Sequence, residues 1–317
     1  MQFPQDVFAA AELLDGRVRR TPVENSPALA GDSGARVWLK LENLQETGSF
    51  KLRGAFHKVL CLDEETRARG VIAASTGNHG AGVAAAAAAV GVEATIFAPL
   101  TADPTKLAGV RARGAVVKQV GDDCLVAESA AREEAAASGL AYVSPYNDPE
   151  VVAGQGTLGW ELHEQLEGLD AIFIAMGGGG LISGVGSYLK SVRPEIEVVA
   201  CSPANSCVMH QSLEAGELLD LPSEPTLSDG TAGGVEEGSI TFELCRNCID
   251  RSVTVTEEEI AAAMKIVIAT HHTCIEGAAG VAAAAFLQDP DRYAGKDVAI
   301  VMCGANASLD VLRRVLS

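Results

Sequence analysis

The chain has 317 residues, and its 42 Asp and Glu against 24 Lys and Arg leave a net charge of −18. That charge excludes a protein that binds nucleic acid by neutralising phosphates, and no apolar run approaches the roughly 20 residues of a membrane span. The length suits two domains or one large α/β unit. The opening Met1–Asp6 lacks the basic-then-apolar layout of a secretory signal, so a cytoplasmic location is expected.

In chain order the sequence reads as alternating strands and helices. The stretch Glu46–Gly54 sets Lys51 at a helix start, after a Gly-Ser turn and beside Phe50. Val71–Ala74 is a strand before an alanine-rich helix over 82–90. The strand 92–97, the helix 105–113, the strand 116–120, the helix 124–137 and the short strand 142–144 follow. A helix over 151–166 leads to three further buried-strand candidates, Ala171–Met176, Glu197–Cys201 and Val298–Cys303, with a helix over 240–249 between the last two. Such alternation implies βαβ units and parallel sheets covered on both faces. The longest irregular stretch is 218–238, and a long loop in a compact domain is often functional.

Four segments carry chemistry. A lysine desolvated at a helix start loses part of its affinity for a proton, which suits a Schiff base with an aldehyde cofactor. Gly177-Gly178-Gly179-Gly180 lies between a strand and a helix opening at Leu181. There glycines let backbone N–H groups converge, and the helix end adds positive potential. The dinucleotide pattern fails because Ser183 stands at its third glycine, and no Walker lysine follows. A monophosphate is the ligand that remains. Ser75-Thr76-Gly77-Asn78-His79-Gly80 opens a helix after a buried strand and presents N–H donors to a carboxylate. Cys303-Gly304-Ala305-Asn306 closes the last strand. The other seven cysteines are irregularly spaced, without a disulfide framework. Cys245 and Cys248 form a lone CxxC, short of a zinc site's four ligands.

Together these segments resemble the fold type II pyridoxal-phosphate enzymes of the serine/threonine dehydratase and serine racemase group, in order and along nearly the whole chain. The resemblance implies two open parallel-sheet α/β domains, a small one at 70–145 inserted in a large one formed by 1–69 and 146–317. It implies pyridoxal 5′-phosphate as cofactor, with Lys51 as its aldehyde partner and Phe50 against its ring. Asn78 would meet the ring hydroxyl, Gly177–Gly180 and Leu181 the phosphate, Glu276 the ring edge and Cys303 the pyridine nitrogen. Ser75, Thr76, Gly77 and His79 would bind the substrate carboxylate, Gln155 would line the cleft, and the loop Asp229–Gly234 would flank the cofactor. The implied reaction is elimination of water from L-threonine or L-serine to a 2-keto acid and ammonia, by a homodimer.

Some positions depart from the family. After the strand ending at Cys201, where many relatives hold a divalent cation with acidic side chains, the stretch Ser202–Val208 has no carboxylate, so no metal is expected there. Gly277 stands where many relatives have proline. Thr76 stands where racemases carry a serine whose hydroxyl serves the face opposite the lysine. The chain ends soon after Cys303, so the regulatory domain of biosynthetic threonine dehydratases is not expected. Rival readings are a racemase, a dehydratase for 3-hydroxyaspartate or phenylserine, and a non-catalytic ligand-binding protein on the same fold. A cysteine-forming synthase fits less well, because Thr47-Gly48 and Gly77-Asn78-His79-Gly80 replace the motifs of that group.

Overall fold

In the computed structural model, which describes residues 1–317, the chain folds around two sheets. Strands β1 (Val23–Asn25), β2 (Arg36–Lys40), β7 (Leu169–Ala175), β8 (Glu197–Pro203), β9 (Arg251–Val255) and β10 (Asp297–Val301) form a sheet in the order β1-β2-β10-β7-β8-β9. Strands β3 (Val71–Ala74), β4 (Ala94–Ala98), β5 (Val116–Gln119) and β6 (Ala141–Tyr142) form a second sheet in the order β5-β4-β3-β6. The second sheet lies wholly between β2 and β7 in sequence. All pairings are parallel except at one edge, where β1 runs antiparallel to β2 with Val23 opposite Lys40. This edge departs from the all-parallel expectation. Three residues, none of them buried, carry no period-2 signal, and a short edge strand needs none.

The central strands β7 and β10 are apolar runs buried on both faces, as a parallel sheet covered by helices requires. Phe173 of β7 meets Phe286 and Tyr293 edge-on, with ring centroids 5.6 and 5.4 Å away. The smaller sheet is packed instead with alanines and valines, among them Ala73, Val83, Ala84 and Ala87. Small side chains bring its Ala-rich helix, Asn78–Ala89, close to the helix Lys51–Cys61.

Helix and strand ends fall within a few residues of the sequence reading. The helix expected over 82–90 begins at Asn78. The strand expected over 298–303 ends at Val301, so Cys303 lies two residues past it. The segment 218–238 contains no helix or strand. The three chemically distinctive segments at 75–80, 177–180 and 303–306 all follow the carboxyl ends of strands, β3, β7 and β10 respectively. Ligands of open α/β sheets bind in that crevice.

Candidate active site

Lys51 is the first residue of its helix, and the neighbouring helix sits directly on it. A Cβ at Gly82 would lie 3.1 Å from the Lys51 carbonyl carbon, so a side chain there would push the two helices apart. The residue is half-buried, but its ammonium is enclosed and donates to the Pro145 carbonyl at 2.8 Å. Burial lowers the Lys51 pKa to about 8, against the opposing pull of Cys303 and Glu276. A backbone bond before it, from Phe50 N to the Cys303 carbonyl at 3.0 Å, ties the lysine to the end of β10.

The ammonium faces a cavity of about 180 Å³. Phe50, Lys51, Asn78, Gly177, Gly178, Gly179, Gly180, Leu181, Glu276 and Cys303 all line it, so residues spread over 250 positions meet at one place. On its floor the helix Gly180–Val192 begins with no side-chain cap, leaving its first N–H groups to an outside acceptor. The glycines are sterically required. A Cβ at Gly177 would lie 2.7 Å from the Thr231 carbonyl oxygen, and one at Gly178 would lie 2.5 Å from the Tyr146 ring. Gly179 has a left-handed φ of 84°.

Across the cavity Glu276, Asn78 and Asn306 form a closed set. Asn78 Nδ2 donates to both Glu276 carboxylate oxygens, at 2.8 and 3.0 Å, and Asn306 N donates to one of them at 2.9 Å. Asn306 Nδ2 donates to Asn78 Oδ1 at 2.6 Å. Burial raises the Glu276 pKa, and the Asn78 bond holds it down. The Cys303 thiol is buried and its pKa stands well above the usual value, through burial and the Glu276 charge. It is a neutral thiol.

None of the residues expected to hold substrate is in the cavity's lining. Ser75, Thr76 and Gly77 form the half-buried turn between β3 and the helix at Asn78, with Gly77 N donating to Ser75 Oγ at 3.1 Å. His79 is buried beneath it and donates from Nε2 to the Val143 carbonyl at 2.8 Å. Its pKa is pushed down to about 3 by burial and by Lys51, so the ring is neutral. Its Nδ1 has no partner, nor has Nε2 of the buried Gln155, whose Oε1 accepts from Gly54 N at 3.3 Å.

Tyr146 completes the wall and had no signal in the sequence: it follows a two-residue strand and matches no motif. Its ring covers Gly178, its Cβ and backbone lie against Gly180, and its hydroxyl accepts from Glu236 N at 3.0 Å. Thr231, Ala232 and Gly234 come from the irregular stretch 218–238. Gly277 lets that stretch pass, because a Cβ there would collide with the Leu227 carbonyl. A second, larger cavity of about 700 Å³ lies between the N-terminal helix and the helix Pro149–Gln165, lined by Phe8, Leu14, Arg20 and Trp160. It holds none of the chemical groups named above.

An uncapped helix start behind glycines, an enclosed lysine of lowered pKa and a neutral thiol could hold a phosphate and an aldehyde. A family model described as "Pyridoxal-phosphate dependent enzyme" matches residues 14–304. The chain is 41% identical to the L-threonine ammonia-lyase of Thermotoga maritima over 313 residues, 99% of this chain and 78% of that one. It is 35% identical to the β-hydroxyaspartate dehydratase of Paracoccus denitrificans, over 97% of each. Among solved structures, serine racemase from Dictyostelium discoideum superposes with a TM-score of 0.89 at 34% identity, covering 96% of this chain and 98% of that one. The chain belongs to the pyridoxal-phosphate-dependent enzymes, in the fold type II group of serine/threonine dehydratases and racemases, and pyridoxal phosphate is its cofactor.

Proposed function

We propose that the protein is a lyase that removes water from L-threonine or L-serine, giving a 2-keto acid and ammonia. The observation that carries this reading is the pairing of Lys51 with a neutral Cys303 in one cavity. Bound pyridoxal phosphate supplies an electron sink for charge left on the substrate's α-carbon. Its phosphate would rest on Gly177–Gly180 and Leu181, its ring between Phe50 and the Gly230 side, its hydroxyl near Asn78, and its pyridine nitrogen on Cys303. Glu276 would hold Asn78 and Asn306 in place. Cys303, as a neutral thiol, would not keep that nitrogen protonated as a carboxylate would, which would favour loss of the β-hydroxyl.

Lys51 is the base. With a pKa near 8, a usable fraction of its amine is free at neutral pH, and its side chain can take the α-proton. The turn Ser75–His79 would receive the substrate carboxylate on its backbone donors, and Thr76 lies on that turn. Gln155, its Nε2 unpartnered, would turn that donor to the same group. After the hydroxyl leaves, hydrolysis of the released enamine yields the keto acid and ammonia.

Racemisation is the alternative favoured by a specific residue, since Thr76 offers a hydroxyl on the turn where racemases carry a serine.

The test is release of keto acid and ammonia by cofactor-loaded enzyme from both enantiomers of serine and threonine, with 3-hydroxyaspartate, phenylserine and a Lys51→Ala control. Lysine-dependent release from L-threonine or L-serine is expected. An enzyme that retains the absorbance of lysine-bound cofactor but releases nothing from either would overturn the reading, and inversion without release would establish the racemase.

A further inference from the structure

The turn Ser75–Asn78 offers backbone and hydroxyl donors but no cation to an incoming carboxylate, in a chain of net charge −18. Glu276 is a carboxylate in the cavity lining, and Asp229 adjoins the lining residue Gly230. A cation approaches the turn from a different element. Lys106 projects from the helix Pro104–Ala112 over Gly77, where a built Cβ would lie 3.4 Å from Lys106 Cδ and 3.9 Å from Nζ. Lys106, Gly77, Thr47 and Asn306 share the lining of a small cavity of about 80 Å³. The ammonium therefore stands beside the turn with open space next to it. Its ion-pair partner is the half-exposed Asp229, at 2.5 Å, on the loop that also lines the cofactor cavity.

We infer that Lys106 is a binding residue for the substrate's α-carboxylate, and that Asp229 is its partner only while the site is empty. The inference rests on the assignment of the Ser75–His79 turn to the carboxylate. A carboxylate seated on that turn lies within reach of a four-carbon side chain already placed over Gly77. A flexible lysine on a partly exposed pair can exchange one carboxylate for another at little penalty, because exposed pairs are weak. Gly77 matters for the same reason, since any side chain there would separate the ammonium from the turn.

The alternative is that Lys106–Asp229 only ties the two sheets' domains together. The two roles predict opposite behaviour. If Lys106 meets the carboxylate, Lys106→Gln weakens amino-acid binding, whereas Asp229→Asn frees the lysine and tightens it. If the pair is only a tie, both substitutions act in the same direction.

The measurement is titration of the cofactor-loaded enzyme, followed by cofactor absorbance, with L-alanine, which has the carboxylate but no β-leaving group, and with ethylamine, which has neither. Lys106→Gln is expected to weaken L-alanine binding and raise KM by about tenfold, the lower end for a charged hydrogen bond, with kcat within about twofold and ethylamine unaffected. Lys106→Arg retains most of the affinity. Unchanged L-alanine binding in Lys106→Gln, equal loss with ethylamine, or parallel weakening by Asp229→Asn would each overturn the inference. Because L-alanine needs no elimination, the lyase reading can fail on serine and threonine while this test still decides the role of Lys106.

Discussion

Replacing Gly178 by alanine tests whether the glycine loop is a steric fit or a tolerant turn. Gly178 does not have a left-handed φ, so alanine adds no backbone strain there. Its Cβ would lie 2.5, 2.6 and 2.7 Å from three carbons of the Tyr146 ring, against an ordinary carbon separation of about 3.5–4.0 Å. The ring must move by about 1 Å, and its hydroxyl is tethered by Glu236 N at 3.0 Å. Overpacking of this kind costs about 1–3 kcal/mol. Because Tyr146 lines the cavity, the penalty should fall on the cofactor, raising its Kd roughly 5- to 150-fold. The assay is cofactor titration of apoenzyme, for wild type, Gly178→Ala, Tyr146→Ala and the double variant. Removing the ring should relieve the clash, giving a coupling of about 1–3 kcal/mol in the cycle. Gly179→Ala is the control, since its penalty comes from a φ of 84° and from Cys245 Sγ at 2.8 Å, neither of which Tyr146→Ala touches. Additivity of Gly178→Ala and Tyr146→Ala within about 0.5 kcal/mol would refute the reasoning.

Three further outcomes are expected. Arg53 is fully buried between Glu42 (2.7 Å) and Glu161 (2.6 Å), so Arg53→Met should lower stability to urea by about 3–5 kcal/mol, because two buried carboxylates lose their main partner; a loss under 1 kcal/mol would contradict it. The Lys51 amine holds its proton to about 8 when folded and to its ordinary 10.5 when unfolded. Between those values the unfolded apoenzyme binds a proton that the folded form does not, so this group makes stability rise with pH in that window and adds nothing pH-dependent below it. Lys51→Met should flatten that rise in thermal-melt profiles of the apoenzyme. Finally, Ser202 and Ser206 occupy the stretch without carboxylates, and Ser206 Oγ is already bonded to Ser223 Oγ and Gly233 N, at 2.8 and 3.1 Å. Chelation should leave activity and Tm unchanged, and a loss restored by magnesium would count against this.

The inner strands were legible because they are buried on both faces, whereas the exposed β5 was read from its own valines. β7 and β10 are continuous apolar runs that stand out without any periodicity argument, and Gly177–Gly180 and Cys303 are placed by the ends of those runs. β1, β2 and β9 were not read, and their burial is partial. In β2 the fully buried Lys40 breaks the hydrophobic pattern, and only the fold supplies its partner, Glu161, from 121 residues away. A polar residue in a strand reads as solvent-facing unless its partner is known.

The same distance explains what the sequence showed of the site. Lys51, Asn78, the glycine loop, Glu276 and Cys303 each sit in a short local pattern of turn, strand end or helix start, and such patterns survive in one dimension. Tyr146 and Lys106 do not, because each acts on a glycine belonging to another element: Tyr146 on Gly178, Lys106 on Gly77. A missing Cβ leaves no mark in the sequence of the residue that fills its space. The glycines at 77 and 178 could be read as turn formers, but they are also receptors for those side chains. Substitutions at Tyr146 and Lys106 should therefore change ligand affinity without changing the fold, whereas substitutions in the buried Arg53 network should do the reverse.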